Sequence, residues 1–102
     1  MIPSLNASDL NYVFTKKIEA TYQGEHFVVI NNWFSGIKVY HNGDLVAEKN
    51  VMIARDKYVP YTTVTVDGKK DKMLVEVYAY SSLFTVQLQL KVNGDFAAGQ
   101  KF

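Results

Sequence analysis

Between Phe84 and Val92 the chain alternates residue by residue. Phe84, Val86, Leu88, Leu90 and Val92 are apolar, and Thr85, Gln87, Gln89 and Lys91 between them are polar. A period of two puts one set on each side of an extended strand, so this segment predicts a strand with one dry face and one wet face. A helix would scatter the same apolar residues around its axis. The preceding segment, Met73 to Tyr80, alternates Val75, Val77 and Ala79 with Leu74, Glu76, Tyr78 and Tyr80. Neither set is plainly polar, because tyrosine joins an apolar ring to a polar tip. Ser81-Ser82 reads as the short turn that makes these two strands an antiparallel pair.

The same signals recur upstream. Tyr58 to Val66 is rich in Thr, Val and Tyr and ends at Asp67-Gly68, a hairpin signal. Pro60 cannot donate to a ladder, so it belongs at the start of this strand or on an edge. Ile37 to His41 runs into Asn42-Gly43, and Leu45 to Glu48 returns from it. Phe27 to Ile30 is apolar on both sides, as expected of a central strand. Tyr12 to Tyr22 sets Phe14, Ile18, Ala20 and Tyr22 against Thr15, Lys17, Glu19 and Thr21. Lys16 breaks the apolar side, which predicts an edge or a bulge there. Gln23-Gly24 turns this strand into the next. Residues 1–11 are polar and irregular, with Ser8-Asp9 as the start of at most a short helical turn. Val51 to Ala54 predicts a strand crossing between sheets.

One stretch occurs twice. Ile37-Lys38-Val39 followed by Asn42-Gly43-Asp44-Leu45-Val46-Ala47 returns as Leu90-Lys91-Val92 followed by Asn93-Gly94-Asp95-Phe96-Ala97-Ala98. Tyr40 and His41 are extra in the first copy. Shared hairpin chemistry accounts for the match; two related halves, each ending in such a hairpin, account for it as well. The elements together predict an all-β protein: an antiparallel β-sandwich of about seven to eight strands joined by tight hairpins, with residues 12–102 as one domain behind an irregular segment at 1–11. The Asn-Gly hairpins and the alternating late strand resemble the sandwiches of the Fas apoptotic inhibitory molecule family over the last two-thirds of the chain. The resemblance implies a sandwich and brings no function with it.

Composition narrows the function classes. The chain has 102 residues, 48% of them apolar, which suits one core and disfavours disorder. Eleven basic residues against ten acidic ones give a net charge of +1, so no strong field steers a nucleic acid or an anionic membrane. No run approaches the ~20 apolar residues of a membrane span. There is no cysteine, hence no disulfide and no thiolate chemistry. The start, Met1-Ile2-Pro3-Ser4-Leu5-Asn6, lacks the basic and apolar regions of a signal peptide, and both features lean towards the cytoplasm.

No motif carries chemistry by spacing alone. The two histidines, His26 and His41, fall short of the three or four converging ligands that a metal requires, and His41 reads as a solvent-facing residue beside a hairpin tip. Glu19, Glu48 and Glu76 read as cross-strand partners of lysines. No Gly-x-Ser-x-Gly elbow is present. Lys69, Lys70 and Lys72 are offset by Asp67 and Asp71 at their hairpin tip. No catalytic residue, metal site or cofactor is therefore expected. The aromatics are the better handle: Trp33, the only tryptophan, interrupts two strands, and Tyr61, Tyr78 and Tyr80 supply further rings. Rings on a sheet face serve as hot spots for a protein partner or as stacking platforms for a sugar. The expected function is a non-enzymatic interaction domain that binds another protein or itself as a weak homodimer. The alternative is a small-ligand or carbohydrate-binding sandwich using Trp33, Tyr61, Tyr78 and Tyr80.

Overall fold

A computed structural model describes residues 15–32, 36–50, 56–81 and 86–102. Among these residues eight strands follow one another: β1 (Thr15–Tyr22), β2 (Glu25–Asn32), β3 (Gly36–His41), β4 (Asp44–Lys49), β5 (Thr62–Asp67), β6 (Lys72–Ser81), β7 (Val86–Val92) and β8 (Asp95–Gly99). They form two antiparallel four-stranded sheets, ordered β1-β2-β3-β4 and β5-β6-β7-β8. Each sheet is a meander in which every strand pairs with its neighbour in sequence. Three of the hairpins have two-residue loops, Gln23-Gly24, Asn42-Gly43 and Asn93-Gly94, with positive φ at both positions. That is the backbone of the turn whose twist matches paired strands, and Asn or Gly adopts it at least cost.

The sheets pack as a β-sandwich, with β1 beside β8 and β4 beside β5 at the two seams. Inward residues alternate as the sequence predicts. Phe27, Val29, Ile37 and Val39 from the first sheet meet Val75, Val77, Ala79, Leu88, Leu90 and Val92 from the second, all essentially without solvent contact. β2 is central, as its two-sided apolarity requires, and β1 is an edge. Lys16 falls on the inward side of β1. Its ammonium leaves the core across the seam, donating to the Val86 carbonyl at 3.0 Å and to Gln100 Oε1 at 3.3 Å. Among the described residues no helix is long and apolar enough to cross a membrane.

Several boundaries move. The strand expected from Tyr58 begins at Thr62, two residues after Pro60. Ser81, expected in a short turn, belongs to β6 and pairs with Val86, and Ser82 lies outside the described residues. The side expected to be wet on β7 is not uniformly so. Gln89 is 6% exposed and donates through Nε2 to the Gln100 carbonyl at 2.9 Å, because the chain folds back over it after Gly99. Phe14, Phe84, Val51 to Ala54 and the Ser8-Asp9 turn lie outside the described residues.

The two sheets repeat one design. Asn42 donates its N–H to the His26 carbonyl, while His26 N–H donates to Asn42 Oδ1, both at 2.8 Å. Asn93 and Leu74 do the same, at 2.8 and 2.9 Å. A bulge sits in the same place in both: Tyr40 faces Leu45 but Val39 faces Ala47, and Lys91 faces Phe96 but Leu90 faces Ala98. Ladder register therefore matches Val39 with Leu90 and His41 with Val92. Tyr40 and His41 are not extra residues; the alignment read from sequence slips by two. Register likewise matches Glu25 with Met73, Asn31 with Ala79 and Tyr22 with Val66.

Candidate functional site

The predicted aromatic residues divide. Trp33 lies outside the described residues. Tyr61 is packed against the core at the β4–β5 seam. Lys49 Nζ sits 4.1 Å from its ring centroid and donates to its carbonyl at 3.0 Å. Tyr78 and Tyr80 do come together, on the solvent side of β6 with Leu74 and Glu76, because these four alternate with the buried Met73, Val75, Val77 and Ala79. Lys91 and Phe96 continue this side across β7 and β8. The rings are not free-standing. Lys91 Nζ covers Tyr78 at 5.0 Å, and Lys57 Nζ stands between Tyr58 and Tyr80, 5.4 and 5.8 Å from their centroids. Tyr78 Oη donates to Glu76 Oε2 at 3.2 Å. Partial burial, then the carboxylate, pushes the Tyr78 phenol above its ordinary range. Tyr80 and Phe96 are 36% and 41% exposed, and Tyr58 and Leu74 are exposed beside them.

A second constellation, absent from the sequence-based expectation, occupies the hairpin end. Glu25 opens β2 on its inward side and is 2% exposed. Its Oε1 accepts from His41 Nε2 at 2.8 Å and Asn42 Nδ2 at 3.1 Å, and its Oε2 accepts from the Lys69 backbone N–H at 3.3 Å. His41 is not solvent-facing: its side chain is 11% exposed and its ring stacks on Phe27, centroids 5.0 Å apart. The reason is register, since Phe27 and His41 are direct partners in β2 and β3. The His41 hydrogen bond, above all, holds the Glu25 carboxyl below its ordinary value, against the desolvation that would raise it. Glu25 also lines a cleft of 610 Å³ with Gln23, Gly68, Lys69, Lys70, Asp71, Met73 and Asn93. Tyr22, in register with Glu25, donates through Oη to Asp95 Oδ2 at 2.7 Å.

The other carboxylates are ordinary. Glu19 pairs with Lys17 at 2.8 Å and with His26 at 3.1 Å on the exposed side of the first sheet. Glu48 and Glu76 stand in register with Lys38 and Lys91. Among the described residues no three of His, Asp and Glu gather at one point. Glu25 is not singled out by the sequence, because it is a polar residue between the Gln23-Gly24 turn and the apolar run that begins at Phe27. Only the shared strand phase of Glu25, Phe27 and Val29 marks it as inward. The fold and both sites define the chain as a pseudo-duplicated all-β sandwich. Comparison with protein-family models, curated proteins and solved structures finds no match to it.

Proposed function

We propose that the protein is a non-enzymatic interaction domain that binds another protein through the solvent side of its second sheet. The observation that carries this reading is the row Leu74, Tyr78, Tyr80 and Phe96 on a surface facing water. The positions that match them by register in the first sheet are His26, Ile30, Asn32 and Leu45, so the fold itself does not call for aromatics there. Aromatic side chains are enriched at protein interfaces, and tyrosine among their hot spots. The carbohydrate alternative needs open ring faces, and lysines already cover one face of Tyr61 and of Tyr78. The test is photo-crosslinking in extract with three proteins: wild type, Tyr80→Ala/Phe96→Ala, and the first-sheet control Leu45→Ala. Specific adducts lost only in the second-sheet variant support the proposal. Adducts unchanged in both variants refute it. A sugar array read by tryptophan fluorescence decides for the carbohydrate alternative if binding saturates.

A further inference from the structure

The repeated design supplies a comparison internal to the chain. At the hairpin end the first sheet places Tyr22, Glu25 and His41, and the second places Val66, Met73 and Val92 at the matching register positions. Met73 and Val92 are buried, and Asn93 keeps the same hydrogen bonds to Leu74 that Asn42 keeps to His26. The architecture is thus satisfied by an apolar pair at this place. Replacing both partners of a buried hydrogen bond by apolar groups of the same shape is often nearly neutral or stabilising. Glu25 and His41 are more than packing demands.

Their connections show what they do instead. Glu25 is the common acceptor for donors from three elements: His41 at the end of β3, Asn42 in the β3–β4 turn and the Lys69 amide in the β5–β6 loop. The last of these joins the first sheet to the second. The apolar counterpart, Met73, offers no acceptor to the opposite turn. We propose that Glu25 and His41 form a proton-controlled latch that ties the β5–β6 loop to the first sheet beside the cleft at the hairpin end and releases that loop when Glu25 is protonated. The ionised carboxylate accepts all three bonds. The neutral acid carries a proton on one oxygen, which loses its charge and becomes a weaker acceptor. The longest bond, 3.3 Å to Lys69, is the one that gives way.

Other ionisable groups face this site. Tyr22 lies across the β1–β2 register from Glu25 and is tied to Asp95. Lys69, Lys70 and Asp71 line the cleft from the loop side. His26 and Glu19 pair on the outer side of the first sheet. None of them is bonded to the Glu25 carboxylate, apart from Lys69 through its backbone. Because the folded Glu25 carboxyl lies below its ordinary value of 4.5, the loop is held above that value. The hold is lost as pH falls through the lower folded value.

Amide exchange followed by NMR between pH 7 and pH 3, corrected for intrinsic rates, tests the latch on the intact chain. The Lys69 amide should lose roughly tenfold protection on acidification, the loss expected for one hydrogen bond to a charged group. The Gln100 amide, held by the Leu88 carbonyl and not by a side chain, should show no step. Glu25→Met/His41→Val copies the second sheet and should abolish the step at Lys69 while keeping the fold. Should that variant fail to fold, Glu25→Gln keeps the size without the titration and should be equally flat. A Lys69 amide that shows no step in wild type overturns the proposal, as does an undiminished step in either variant.

Discussion

Leu88 and Gln87 are neighbours with opposite fates, since Leu88 has no solvent contact while Gln87 keeps its side chain on the outer side of β7. Leu88→Ala should cost about 2–5 kcal/mol in urea unfolding, through lost transfer energy and the cavity left behind. Gln87→Ala should change stability by less than about 0.5 kcal/mol. Equal losses would mean that the inward phase of β7 is wrong. Asn31 has the opposite sign. It is fully buried, its amide has no partner for Oδ1 or Nδ2 among the described residues, and Ala79 fills the matching place. Burying a polar group unpaired costs about 1–3 kcal/mol, so removing it roughly cancels the small cavity that Asn31→Ala creates. The variant should melt within about 1 kcal/mol of wild type or above it. A loss beyond about 2 kcal/mol would show that the amide is bonded after all.

At the scale of the element, the hairpins were the most legible part of the sequence and the hairpin-end site the least. Asn42-Gly43 and Asn93-Gly94 could be placed because few residues tolerate their backbone. The phase of β7 could be read because five apolar residues alternate without interruption. Glu25 could not, because its burial depends on which strand of which sheet faces it, and a local window does not hold that. Tyr78 and Tyr80 were legible as a pair for the same local reason that Tyr61 was not: two of them share one strand, whereas the third precedes β5 and turns to the seam. The turns carry a prediction of their own. Asn93→Gly loses the side-chain bonds to Leu74 N–H and to Tyr22, about 1 kcal/mol each. Asn93→Ala loses those bonds too and keeps a Cβ in the left-handed region without them, so it should fall about 1–2 kcal/mol below the glycine variant. Thermal unfolding of the two variants separates the terms, and identical values would remove backbone strain from the account.

For the molecule as a whole, association depends on what its edges offer. The outer edge of β8 faces β1, which covers it with side chains and not with a ladder: Lys16 reaches Val86 and Gln100, and Tyr22 reaches Asp95. Phe102 is half-buried, whereas Phe96 is exposed with Lys101 Nζ 5.1 Å from its ring. A weak homodimer would therefore form by packing of the second sheet's outer side, not by adding a strand to β8. Sedimentation velocity over a wide concentration range should show any dimer weakened by Phe96→Asp and unaffected by Phe102→Asp. The reverse order would return the interface to the strand edge.

Because each sheet is a meander, every ladder closes a loop only a hairpin long, and no strand waits for a distant partner in the chain. The entropy of bringing strands together is therefore met in small, successive steps, with one large step left for docking the two sheets. All-β sandwiches are usually slow because their pairings are non-local. This one should refold at the fast end of its class, in milliseconds by stopped-flow fluorescence. A substitution at the seams, such as Lys16→Ala, should then speed unfolding while leaving the refolding rate nearly unchanged.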